Sequence, residues 1–160
     1  MRFLLLLALL AMLAPHANAQ TLLSEVMTVQ VPEGRLQGSL LLPKTAEPLP
    51  IALLIAGSGP TDRNGNNPMG RNDSLKRLAQ ALAKRGIASL RYDKRGVGQS
   101  LGVAPDERRL SVDDYVADAV AWARLLKADP RFSEVVLIGH SEGALIASLA
   151  APIAEPAALI

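Results

Sequence analysis

The sequence predicts an α/β fold: a doubly wound, mostly parallel sheet that begins with an antiparallel hairpin. Two wholly apolar runs, Ile51–Ile55 and Val135–Ile138, are typical of strands buried in the middle of a parallel sheet. Amphipathic helical patterns alternate with these runs, and such alternation places helices on both faces of a sheet. Two runs joined by a short turn precede the first apolar strand and predict the hairpin.

The hairpin and the first central strand come first along the chain. Ser24–Val31 alternates weakly and is rich in β-branched residues, Leu36–Leu42 forms the second run, and Pro32-Glu33-Gly34 between them is typical of a turn. The stretch 43–50 holds three prolines, so we expect a loop before the strand Ile51–Ile55.

The first helix is predicted by apolar residues at helical spacing, namely Leu75, Leu78, Ala79, Leu82 and Ala83. Asn72, Asp73 and Ser74 are candidate N-caps, and Gly86 is typical of a helix end. We expect the next strand at Ile87–Tyr92 because it is apolar and β-branched at its start and follows that glycine.

The second half of the chain repeats the strand–helix alternation. Ser111 with Asp114 resembles a capping box, and the helix that follows is expected to end at Asp129-Pro130. After the strand Val135–Ile138, a helix without a polar face is expected to run to about Ala151. Ala157–Ile160 then predicts the start of another strand.

Three glycine-rich segments fall at the carboxyl ends of the predicted strands. They are Ala56–Asn72, Asp93–Arg109 and the turn after the strand Val135–Ile138. Ligands bind at this edge of a doubly wound sheet. The charged residues at the start of the second segment, Asp93, Lys94 and Arg95, form either an ion-pair network under the site or a solvated loop, and a structural role is the favoured interpretation.

The third segment carries the pattern Gly139-x-Ser141-x-Gly143 between an apolar strand and a helix. A serine in such a sharp turn exposes its hydroxyl, and the flanking glycines are expected because a Cβ there would clash with nearby backbone. The helix N-terminus behind the serine offers unpaired N–H groups and partial positive charge. We therefore interpret Ser141 as a nucleophile; the alternative is a Gly/Ser turn that only ends a core strand.

The N-terminus predicts a secretory signal peptide. Arg2 precedes the apolar run Phe3–Leu13, and Ala17-Asn18-Ala19 supplies small residues for cleavage before Gln20. The alternative is an uncleaved anchor, although the run is short for a bilayer span.

Residues 20–160 would then be the mature domain, exported to a periplasm or the medium, with no stable membrane anchor after cleavage. The chain has no cysteine, which excludes disulfides and lipid attachment through cysteine. With 17 basic and 15 acidic residues and no basic patch with interleaved aromatics, we expect no nucleic-acid partner.

Two weaker patterns do not predict a metal or a cofactor. The run Asp62–Asn66 half resembles a calcium loop, but Asn67 replaces the required glycine and no helix precedes it. Gly96-x-Gly98 follows a strand, but the third glycine, Gly102, is one place late for a dinucleotide fingerprint and no helix opens there.

Taken in order, these motifs resemble the α/β-hydrolase family over residues 24–160. Ser141 matches the nucleophile elbow, and the run Asp93–Ser100 is similar to the loop after the fourth strand in many members. Ala56–Pro60 lies where the family carries its oxyanion loop, with Ala56 in place of the usual histidine. Gly57–Asn64 most resembles secreted bacterial esterase-like members near the serine-aminopeptidase and dienelactone-hydrolase branches.

The resemblance implies an oxyanion hole formed by the backbone N–H of Glu142 and that of Ser58, with Gly59 as the alternative donor. In the family an Asp or Glu and then a His follow the serine. The chain has two histidines: His16 lies in the leader, and the His140 side chain is expected to point away from the hydroxyl.

Both triad partners are therefore expected after Ile160. The sequence would then be the N-terminal part of a longer enzyme, truncated after the nucleophile helix, and the isolated chain is expected to be inactive.

The function expected from the sequence is that of a serine hydrolase that cleaves an ester-type acyl substrate through an acyl-enzyme on Ser141. Its partner would be a small-molecule ester or peptide-like substrate, and lactone cleavage is a related chemistry. The alternative is a catalytically dead, truncated hydrolase-fold protein that binds a ligand in the same cleft. The sequence specifies neither the substrate nor the oligomeric state.

Overall fold

The computed structural model describes residues 21–104 and 106–160. The predicted signal peptide over residues 1–19, with His16, lies outside these ranges. No helix within them combines the length and the apolar character needed to cross a bilayer.

The described residues form a six-stranded sheet that confirms the predicted antiparallel start and parallel centre. Its strands are β1 (Leu22–Val31), β2 (Gly34–Pro43), β3 (Leu49–Ile55), β4 (Ala88–Tyr92), β5 (Phe132–Gly139) and β6 (Ala158–Leu159). They are ordered β1-β2-β4-β3-β5-β6 across the sheet. β1 and β4 pair antiparallel with β2, whereas β4, β3, β5 and β6 run parallel. The carboxyl ends of β3, β4 and β5 therefore lie at one edge.

Helices cover both faces, as the alternating pattern predicts. They are α1 (Ser74–Ala83), α2 (Val112–Lys127) and α3 (Glu142–Ala154), with short 3₁₀ helices at Gly98–Val103 and Glu107–Arg109. Residues of α2 and α3, among them the fully buried Trp122 and Ile146, pack on one face of the sheet. Ala79 of α1 packs with Ala52 and Leu54 on the other face.

The start of α1 is capped by one of the three predicted side chains together with a backbone carbonyl. Asp73 occupies the N-cap position with φ 51° and makes no side-chain cap hydrogen bond. Asn72 Oδ1 accepts the N–H of Ser74 at 2.9 Å, and the carbonyl of Asn64 accepts the N–H of Leu75 at 3.1 Å. The preceding loop folds back over the helix end, so a backbone carbonyl from that loop accepts an N–H group that local side chains were expected to accept.

The apolar helix α3 extends beyond the predicted end at Ala151. It continues through Pro152 to Ala154, and Glu155 ends it with φ 47°. A proline in the last turn removes one backbone donor, whose acceptor would be the carbonyl of Ser148. Ser148 lies on the exposed side of the helix, where that carbonyl can bond to water.

The charged residues after β4 form a buried ion-pair network, which was one of the two predicted arrangements, and not a solvated loop. Asp93, Lys94 and Arg95 are 3%, 2% and 5% exposed. Arg63 Nη2 donates to Asp93 Oδ2 at 2.6 Å, and the Arg63 backbone N–H donates to Oδ1 at 2.8 Å, which joins the loop after β3 to the loop after β4. Arg95 forms a bidentate pair with Asp118 of α2 at 2.7 and 2.8 Å.

The predicted capping box is present at the start of α2. The Ser111 Oγ accepts the backbone N–H of Asp114 at 3.3 Å, and the Asp114 carboxylate accepts the N–H of Ser111 at 2.8 Å. Both N–H groups would otherwise lack an intrahelical acceptor.

Replacing the capping serine should therefore destabilise the protein without changing its site. We expect Ser111→Ala to lower the free energy of unfolding by about 1 kcal/mol, measured by urea denaturation. Ser133→Ala, at an exposed position of β5, is the matched control and should change it by less than about 0.5 kcal/mol. Equal effects for the two variants would contradict the capping role.

The pair between the two loops should make stability depend on pH. Burial opposes ionisation of Asp93, but hydrogen bonds from the Arg63 side chain and the backbone N–H groups of Gln99 and Arg63 outweigh it and hold the pKa of this carboxyl below its usual 3.8. The unfolded chain has the higher pKa, so this stabilisation is complete above that value and is lost as the pH falls through the lowered pKa.

We expect Asp93→Asn to cost about 3 kcal/mol near pH 7, because it leaves the Arg63 guanidinium without its carboxylate. The difference between wild type and variant should shrink as acid protonates Asp93 in the wild type. Urea titrations at a series of pH values measure it, and a difference that is constant down to pH 2.5 would contradict the assignment.

Candidate active site

Ser141 lies in a strained turn between β5 and α3. Its φ of 55° and ψ of −119° are outside the common regions for a residue with a side chain, at a cost of about 1–3 kcal/mol. It is at the N-cap position of α3 but makes no side-chain cap hydrogen bond. The residue is exposed, so its hydroxyl is accessible at the edge of the sheet.

The two glycines of the motif permit this turn, as predicted. A Cβ on Gly139 would overlap the carbonyl oxygen of Gly143 and lie 2.5 Å from the Cα of Ala144. A Cβ on Gly143 would overlap the carbonyl oxygen of Ile55 at the end of β3. Strand, turn and helix thus meet backbone to backbone at these two positions.

The loop after β3 lies directly against the turn. A Cβ on Gly57 would be 3.3 Å from the Cβ of Ser141 and 3.1 Å from Nδ1 of His140. The turn is also tied to β3, because the N–H of His140 donates to the carbonyl of Ile55 at 3.1 Å. The Gly57–Ser58 peptide therefore lies beside Ser141.

Both amides implied as oxyanion donors lie at this junction. Within residues 21–104 and 106–160, no protein acceptor is hydrogen-bonded to the backbone N–H of Ser58 or to that of Glu142. Glu142 is the first residue of α3, where the helix dipole adds partial positive charge. The backbone N–H of Gly59, which has a φ of 71°, also has no protein acceptor among the described residues.

A cavity of about 300 Å³ opens over Ser141. Gly57, Ser58, His140 and Ser141 form one wall, and the opposite wall comes from the loop before α1 and the start of that helix: Thr61, Gly65, Asn67, Asn72, Ser74 and Leu75. Gly59 lines a separate cavity of about 160 Å³. The geometry thus brings Ser58, and not Gly59, to the cavity that contains Ser141.

His140 takes part in the cavity wall without bonding to the nucleophile candidate. Its ring lies beside Gly57, and the described residues include no hydrogen bond between His140 and Ser141. That this ring points away from the Ser141 hydroxyl stays a prediction.

Sequence reasoning did not find the contact between Lys94 and the oxyanion loop. Lys94 Nζ donates to the carbonyl of Gly57 at 2.6 Å and lies 3.4 Å from Glu142 Oε2. The available signal was a lysine directly after a strand that ends at the site edge, but its partners are 37 and 48 positions away. Of the residues on the other side of the cavity, Asn67 was predicted only as a loop residue and Asn72 only as a candidate helix cap.

Two sequence comparisons relate the chain to known proteins. Residues 70–160 match the family described as serine aminopeptidase, S33. Over 112 residues the chain is 34% identical to esterase EstD from Thermotoga maritima, an alignment that covers 69% of this chain and 26% of the esterase. The chain thus spans about a quarter of that relative.

Solved structures share the fold. An α/β serine hydrolase without a lid from Xanthomonas campestris has a TM-score of 0.64 and 25% identity, covering 91% of this chain and 62% of its own. A dienelactone hydrolase from Anabaena variabilis has a TM-score of 0.63 and 24% identity, and the match covers 81% of this chain and 57% of that hydrolase. Est1E from Butyrivibrio proteoclasticus, solved with ferulic acid, has a TM-score of 0.63 and 21% identity, and the match covers 81% of this chain and 48% of Est1E. With its sheet order and strained serine turn, this chain belongs to the serine aminopeptidase (S33) family of α/β hydrolases.

Proposed function

We propose that this chain carries the nucleophile and oxyanion hole of a serine hydrolase that cleaves a small ester through an acyl-enzyme on Ser141. The observation that carries the proposal is the position of Ser141: a strained turn at a helix N-terminus, open to a cavity, with two unpaired backbone N–H groups beside it. A strained residue persists only where the surrounding fold holds it in place, and such residues cluster at functional sites.

The reaction follows from the groups at this junction. The Ser141 oxygen attacks the ester carbonyl carbon while its proton passes to a general base. The negative charge that forms on the carbonyl oxygen accepts hydrogen bonds from the N–H groups of Ser58 and Glu142. The alkoxide leaves as the alcohol after taking a proton, and water then releases the acid from the acyl-enzyme by the same steps.

The cavity and the comparisons support a small ester as the substrate. A volume of about 300 Å³ is at the lower end for ligand pockets, and much of the wall opposite Ser141 is polar. The curated relative is named an esterase. Peptide and lactone substrates use the same acyl transfer, so a panel of p-nitrophenyl esters, aminoacyl p-nitroanilides and lactones separates the three classes.

Removal of the nucleophile should abolish turnover in the full-length protein. We expect Ser141→Ala to lower kcat/KM on p-nitrophenyl esters by at least about 10⁴-fold and to prevent labelling by a fluorophosphonate. Ser148→Ala, on the exposed side of the same helix, is the matched control and should keep both activities. A Ser141→Ala enzyme that still turns over would exclude the acyl-enzyme.

If the wild-type protein neither hydrolyses any substrate of the panel nor reacts with the fluorophosphonate, the result supports the alternative, a ligand-binding family member without catalytic activity.

His140 should matter far less than Ser141, because the two side chains share no hydrogen bond. We expect His140→Gln to lower kcat by less than about tenfold, from altered packing against Gly57, whereas loss of a general base typically costs 10⁴-fold or more. The pH profile of kcat/KM should keep its midpoint in this variant. A loss as large as that of Ser141→Ala would identify His140 as the base.

A further inference from the structure

We propose that Lys94 is a positioning residue that orients the Ser58 oxyanion donor, an inference that rests on the proposed function of Ser141. Lys94 follows β4, and its side chain is 2% exposed. It reaches the two backbone segments that meet at the nucleophile, the loop after β3 and the start of α3. No other cation among the described residues bonds to both segments.

The first contact fixes the direction of a peptide plane. Lys94 Nζ donates to the carbonyl oxygen of Gly57 at 2.6 Å, a short, charge-assisted hydrogen bond. The carbonyl of Gly57 and the N–H of Ser58 belong to the same trans peptide unit, so they point in opposite directions. Holding the oxygen toward the buried ammonium therefore points the Ser58 N–H in the opposite direction, and Ser58 lines the cavity that contains Ser141.

This peptide needs an external restraint. Gly57 has no Cβ, and the loop contains a second glycine, Gly59, two residues later, so local sterics allow many orientations of the plane. A donor contributes fully to an oxyanion hole only when its direction is fixed before the reaction. The Lys94 hydrogen bond supplies that restraint from outside the loop.

The second contact holds the ammonium from the other side. Lys94 Nζ lies 3.4 Å from Glu142 Oε2, a side-chain atom of the first residue of α3. The Glu142 side chain is 30% exposed, so this ion pair is weaker than the bond to Gly57. The Tyr115 ring, with its centroid 5.3 Å from Nζ, adds a cation–π contact that holds the ammonium in place.

Burial of an ammonium is costly, which favours a specific role for this one. A lysine amine taken out of water is strongly destabilising unless its hydrogen bonds are replaced. An apolar side chain of similar size would fill the same space without that cost. What an apolar side chain does not provide is a donor to the Gly57 carbonyl.

The test compares Lys94→Met with two matched variants in the full-length protein. Because a misdirected donor costs about 100- to 1000-fold, we expect Lys94→Met to lower kcat on p-nitrophenyl esters about 100-fold while KM changes less than about threefold. The affinity for a trifluoromethyl ketone, whose adduct with Ser141 places an oxyanion in the hole, should fall by a similar factor.

The controls separate positioning from general structure. Lys84→Met, at an exposed position, should leave kcat unchanged. Arg95→Met removes the neighbouring buried cation, which bonds to Asp118 and not to Gly57; it should lower Tm but change kcat less than about fivefold. Equal kcat losses for Lys94→Met and Arg95→Met at equal loss of Tm would overturn the proposal, as would an unchanged kcat for Lys94→Met.

Two further variants cover a folding failure of Lys94→Met and a failure of the serine mechanism. If circular dichroism shows that Lys94→Met does not fold, Lys94→Gln decides, because its shorter, uncharged side chain keeps a polar group at this position: we expect kcat to fall at least about tenfold, and an unchanged kcat overturns the proposal. Ser141→Ala in the same assay separates a failure of the serine mechanism from a failure of the Lys94 role. Activity that survives Ser141→Ala refutes the serine mechanism itself, whereas activity lost in Ser141→Ala but retained in Lys94→Met refutes only the role of Lys94.

Discussion

The close approach of backbone to backbone at the β5–α3 turn is the constraint on which the rest of the site depends. Gly143 lies so near the carbonyl of Ile55 that no side chain fits between the helix and the end of β3. That contact places the first turn of α3 directly over the sheet edge and leaves Ser141 with a positive φ. The strain of about 1–3 kcal/mol at this residue is small beside the burial that holds both elements.

The burial that offsets the strain comes from both sides of the turn. Leu137 of β5 and Ile146, Ala147 and Ala150 of α3 are fully buried in the main core. Each large apolar side chain contributes about 1.5–3 kcal/mol when removed from water. Their burial therefore exceeds the cost of the turn, and it does so through residues that do not line the cavity.

Buried ion pairs fix the positions of the loops around the site. Arg63 with Asp93, and Arg95 with Asp118, connect three segments by short hydrogen bonds between groups that are almost fully buried. Such pairs add little net stability, because desolvation cancels most of their attraction. Their geometry is demanding, however, so they determine where the glycine-rich segments lie.

How far the sequence predicts this structure depends on the distance between interacting residues. The capping box joins Ser111 to Asp114 within one turn, and the hairpin joins neighbouring runs, so local patterns suffice for both. At the start of α1 the local Asn72 side chain accepts one N–H, but the next acceptor is the carbonyl of Asn64, which no side-chain pattern encodes.

The same distinction applies to the site. Gly139-x-Ser141-x-Gly143 is local, because strand, turn and helix are consecutive, and the predicted steric need for both glycines is confirmed. The hydrogen bond from Lys94 to Gly57 spans 37 positions and depends on β3 and β4 being neighbours in the sheet. A sequence pattern predicts that both residues lie at one edge, but only the register of the two strands brings the amine to the carbonyl. The position of a nucleophile is thus encoded locally, whereas the direction of the dipoles around it is a property of the assembled sheet.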